Sequence, residues 1–103
     1  MLESVVFPDS VLEVAGCFWE NKFLTTVVFG ENTRKLGYEV FGSCKLVQTL
    51  VIPESVTYID EGIFSRYYGD ILCITVYTTK GSYADKWAQS LGLMVSYEPY
   101  EIS

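Results

Sequence analysis

With 103 residues, half of them apolar and 16% aromatic, the chain is long enough for one domain with a single core and too apolar to be disordered. Seven basic against thirteen acidic side chains leave a formal charge of -6, which repels phosphate and excludes nucleic acid and anionic membrane surfaces as favoured partners. Apolar runs are only a few residues long, against about 20 for a membrane helix, and no basic stretch leads into an apolar core, so the expectation is a soluble chain with no export signal and no membrane insertion.

Taken in order, the first element is a strand over residues 2–7, carrying Leu2, Val5 and Phe7 and ended by Pro8, which has no N–H for a ladder. Val14 and Phe18 follow. The same phrase returns as Leu24, Val27, Phe29 and Gly30, with Leu36 and Phe41 downstream, and again as Val47, Leu50, Ile52 and Pro53, with Ile59 and Phe64. Phe18 to Phe41 and Phe41 to Phe64 are both 23 residues, whereas Phe7 to Phe29 is 22, which implies one residue lost between Val14 and Phe18. A fourth unit opens with Ile71, Ile74 and Val76 after one inserted residue near Gly69 and Asp70. Beyond residue 78 the spacing of Tyr83, Ala84, Trp87, Ala88 and Leu91 predicts a short amphipathic helix, with Ser82 as N-cap and Gly92 as stop. Leu93, Val95 and Tyr97 alternate as a last strand, and residues 98–103 have no pattern and read as a frayed tail.

No such unit can bury its apolar side alone. The units therefore stack as coils, their parallel strands about 4.8 Å apart, with Val5/Val27/Leu50/Ile74 and Phe7/Phe29/Ile52/Val76 as continuous core columns. The helix and the last strand close the C-terminal end of the stack.

Residues 50–64 and 41–46 resemble the BspA-type (Treponema pallidum-type) leucine-rich repeat, and residues 79–88 resemble the helical end-piece that often follows it. The resemblance covers residues 2–97. It implies an α/β leucine-rich-repeat solenoid, strand-rich coils of about 23 residues with a C-terminal capping helix and strand. The chain then forms one domain, 1–103, with units near 2–23, 24–46 and 47–70, a partial unit 71–80 and a cap over 81–97. Members are largely bacterial and protozoan surface proteins, so the resemblance implies a non-enzymatic protein-binding or adhesion module, a protein or glycan partner, and a cell-surface or secreted setting. Unit two departs from the family pattern at Gly30, Glu31, Asn32 and Thr33, and units one and three carry Asn21 and Tyr67 where unit two has Cys44. About three and a half units, where surface members carry many, point to a C-terminal fragment or a truncated relative.

Outward strand positions form two further columns, Ser4/Thr26/Thr49/Cys73 and Val6/Val28/Val51/Thr75. An exposed valine stripe marks a contact surface, and this puts Val6, Val28, Val51, Thr26, Thr49 and Thr75 forward as binding residues; the alternatives are that another part of the molecule covers this face or that β-branched residues simply favour strands. Tyr58, Tyr67, Tyr68 and Tyr77 cluster in the third and fourth units, and Tyr58 and Tyr77 join the candidate surface as rings able to stack on sugars or peptides, against core or corner packing. Asp9, Glu31 and Glu54 form a carboxylate row that fits solvated turns better than a cation site, and no metal or cofactor is assigned. Cys17, Cys44 and Cys73 have no CxxC spacing and there is no His, so buried thiols are expected, a disulfide pair being the alternative in an exported chain. The absence of His removes Ser-His and Cys-His chemistry, phosphate-loop and nucleophile-elbow motifs are missing, and the chain reads as a non-enzyme with no catalytic residue. The rival reading is a structural unit that self-associates through its open N-terminal strand edge.

Overall fold

The computed structural model of the chain describes residues 3–16, 23–42 and 44–100. Leu2, Cys17, Phe18 and Asn21, all used in the sequence reading, lie outside them. Three equivalent tight turns organise the units: Val11 N–H donates to the Pro8 carbonyl at 3.2 Å, Thr33 to Gly30 at 3.0 Å and Val56 to Pro53 at 3.2 Å. Each turn separates a long strand from a two-residue one. The elements are β1 (Glu3–Val6), β2 (Glu13–Val14), β3 (Leu24–Val28), β4 (Lys35–Leu36), β5 (Thr49–Val51), β6 (Tyr58–Ile59), β7 (Thr75–Tyr77), α1 (Tyr83–Ser90) and β8 (Met94–Ser96). All strand pairs are parallel: β1-β3-β5-β7-β8 form one sheet and β2-β4-β6 a second.

Between the sheets lies a continuous core in which Leu24, Val27, Leu36, Phe41, Leu50, Ile52, Val56, Ile63 and Val76 are essentially fully buried. Unit two explains its own departures. Thr33 sits where its neighbours have Val11 and Val56, is fully buried, and keeps the β-branched shape while its hydroxyl donates to the Val11 carbonyl at 3.2 Å. Gly30 meets the Pro8 carbonyl so closely that a Cβ could not be placed there.

The fourth unit is corrected by the register. Val5, Val27, Leu50 and Val76 form one row, continued by Val95, so Ile74 is not the fourth member. The cause is a 3-10 turn over Ile71–Cys73, N-capped by Asp70, whose carboxylate accepts the Leu72 N–H at 2.9 Å. This turn consumes residues before the strand can begin, so more than one residue is inserted. Cys44 is buried as expected, but Cys73 rides on this turn and is exposed.

At the C-terminal end the Ser82 hydroxyl accepts the Asp85 N–H at 3.2 Å, as an N-cap should. The helix closes with Gly92 N–H on the Gln89 carbonyl at 3.1 Å and Leu93 N–H on that of Ala88 at 3.0 Å. This pair of bonds needs a left-handed residue, supplied by Gly92 at φ 76°. Ala84 and Ala88 are buried, and Trp87 stacks on Phe64 with centroids 5.9 Å apart, as Phe64 stacks on Phe41 at 5.6 Å. The helix thus supplies the ring that a further repeat would have placed there. Its Tyr83 hydroxyl accepts the Ile59 N–H at 3.4 Å on the β6 edge.

Candidate binding groove

The outward side chains of the five-stranded sheet follow from the same register. Thr26, Thr49 and Thr75 share one row, and Val28, Val51 and Tyr77 share the next, with Val6 beside Val28. Thr75 therefore belongs to the threonine row rather than the valine row, and Tyr77 takes the place assigned to it; Cys73 leaves the sheet altogether. Val6 is 52% exposed, while Val28, Val51 and Tyr77 are half-buried.

Val28, Val51 and Tyr77 line an open groove of about 930 Å³ at the C-terminal ends of the strands. Phe29, Ile52, Pro53 and the charged side chains Glu31, Glu54 and Lys80 also line it, together with Tyr97, Glu98, Pro99 and Tyr100 of the C-terminal segment. The Tyr100 ring meets that of Tyr77 edge-on, centroids 5.0 Å apart and planes at 66°. The segment expected to fray is, through Tyr100, a wall of the groove. Its position rests on a tertiary contact, and only the tyrosines themselves signalled it in sequence.

Tyr97 is anchored from below. Its hydroxyl donates to both oxygens of Asp85, at 3.1 and 3.3 Å, and burial followed by this bond raises the phenol above its ordinary value. Asp85, only 3% exposed, accepts the Gly81 N–H at 2.8 Å and the Gln89 amide at 2.8 Å. Those bonds, the Gly81 one first, hold its carboxyl below the usual carboxylate range.

The expected tyrosine cluster is dispersed. Tyr58 lies on β6 in the other sheet, 46% exposed, its hydroxyl donating to Asp60 at 3.1 Å, and that bond raises its pKa. Tyr67 is half-buried against Phe64, its phenol raised chiefly by burial, and Tyr68 stands in solvent. Of the eight candidate residues, three share the groove; the threonines lie further back on the same face, Val6 at the far edge and Tyr58 elsewhere. Within the carboxylate row, Asp9 accepts the Glu31 N–H at 3.0 Å and so ties one turn to the next. Lys80 follows Tyr77 and Thr78 as Glu31 follows Val28 and Phe29, and occupies the fourth place in that row.

Two parallel sheets built from a recurring unit, with a helix continuing an aromatic column at one end, define a repeat protein. A family model described as "BspA type Leucine rich repeat region (6 copies)" matches residues 1–83, and the chain belongs to that family. Comparison with curated proteins and with solved structures gave no match.

Proposed function

We propose that the chain is a non-enzymatic binding or adhesion module, a single solenoid domain that docks a partner on the outer face of its five-stranded sheet. The observation that carries this reading is the groove in which the apolar pair Val28 and Val51 stays open to solvent beside three tyrosines. Backbone ladders fix the floor, so an occupant meets a surface that needs little ordering. Family membership supports a protein partner and a surface or secreted setting, and no helix among the described residues is long and apolar enough to cross a membrane.

The test is a binding screen against extracellular-matrix proteins and glycans, run beside a Val28→Lys/Val51→Lys variant. Specific binding by the parent, lost in a variant that still folds, is expected; equal binding by both would remove the face from consideration. A second reading, self-association, is favoured by β1, which among the described residues pairs only with β3 and leaves its other edge open. Light scattering showing a strict monomer at high concentration would remove it.

A further inference from the structure

We propose that the groove takes an extended, arginine-bearing peptide segment of a partner protein, an inference that rests on the docking face described above. The floor from Val28 through Val51 to Tyr77 crosses three adjacent strands, about 10 Å, which matches roughly three residues of extended chain. The groove lining carries a net negative charge. Glu31, Glu54 and Glu98 are exposed, and the ion pairs among the described residues, Lys35–Glu13 and Arg66–Glu39, lie elsewhere. Lys80 is the one cation lining the groove. Three carboxylates against one ammonium, in a chain of formal charge -6, select a basic occupant.

The tyrosines select among bases. The Tyr77 and Tyr100 rings are packed on each other and Tyr97 is pinned by its bond to Asp85, so aromatic surface stands ready beside the carboxylates. A guanidinium is planar, pairs with a carboxylate through two parallel N–H groups and stacks flat on an aromatic face; an ammonium pairs as a point charge and meets a ring without a flat face to stack. A neutral sugar would use the rings and donate hydroxyls to the carboxylates but leave their charge uncompensated, and an acidic ligand would be repelled.

The test measures fluorescence anisotropy of a short labelled peptide of alternating Arg and Val, against versions carrying Lys or the uncharged isostere citrulline, and against a neutral oligosaccharide. The Arg peptide should bind best, the citrulline peptide at least about tenfold weaker, and Glu31→Gln/Glu54→Gln should weaken the Arg peptide about tenfold and flatten its salt dependence. The charge-matched control Glu13→Gln/Glu61→Gln should leave binding unchanged, because those acids lie outside the groove. Equal binding of the Arg and citrulline peptides, equal losses in both Gln variants, preference for the oligosaccharide, or no peptide binding would overturn the proposal. If matrix-protein binding is still lost in Val28→Lys/Val51→Lys, the docking face survives that result; if it is not, the face falls as well.

Discussion

Leu50 shows how much a single side chain contributes. It is fully buried, flanked in its row by Val27 and Val76, and has no polar atom to satisfy, so its truncation leaves a cavity that two strand ladders prevent from collapsing. Leu50→Ala should destabilise the fold by about 2 to 5 kcal/mol, read as a lowered midpoint in denaturant unfolding. Asp85 acts through its charge instead. Its carboxyl is held below the ordinary range in the folded chain, so the unfolded chain binds a proton more readily; its contribution is complete above an unfolded value of about 3.9 and is lost as pH falls through the depressed folded value. Stability should therefore drop on acidification below about pH 4, and Asp85→Asn should be less stable at neutral pH with a shallower acid decline, both followed by thermal melting.

Among the elements, α1 decides how the repeat ends. A stack of coils leaves an apolar column and a strand edge bare at its last unit. Here Trp87 covers Phe64 by stacking and Tyr83 reaches the β6 edge, while the Ser82 cap and the left-handed Gly92 stop the helix at the length that this covering needs. Trp87→Ala should cost about 3 kcal/mol, near the lower end for aromatic truncation because the ring is only half-buried. Trp87→Phe should restore much of that loss, since a phenyl ring continues the same stack, and parallel unfolding curves of the two variants would show it. Strand β8 works differently: it adds to β7 and carries the chain round to the groove wall at Tyr97 and Tyr100.

At the scale of the molecule, what matters is that the groove is lined by repeat strands and by the C-terminal segment together. A substitution in that segment should change binding without unfolding the stack. Tyr100→Ala removes the ring packed on Tyr77, sits outside the core rows, and should weaken the Arg peptide several-fold while shifting stability by less than about 1 kcal/mol, a separation checked by anisotropy and melting on one sample. A matched loss of stability and binding would mean that the wall is part of the core. Because Val28→Lys/Val51→Lys acts on the repeat strands, the two variants report separately on the two segments that line the groove.

The period of about 23 residues by itself determined the parallel stacking, the inward columns of the first three units, the turns at Pro8, Gly30 and Pro53, and the Ser82-to-Gly92 helix, because each depends on local periodicity or on backbone chemistry written in a single residue. Trp87 follows Phe64 by the same 23 residues, a signal present in the sequence but masked by the helical spacing around it. The fourth unit was not legible: strand alternation has a period of two, and shifting a strand by two residues leaves its apolar pattern intact, so only pairing with β5 and the 3-10 turn before β7 could choose Val76 over Ile74. Tertiary structure alone also decided the site. Tyr77 and Tyr100 are 23 residues apart with a helix and a strand between them, and their contact, which turns a flat sheet face into a groove, depends on where β8 pairs rather than on any property of the residues flanking either ring.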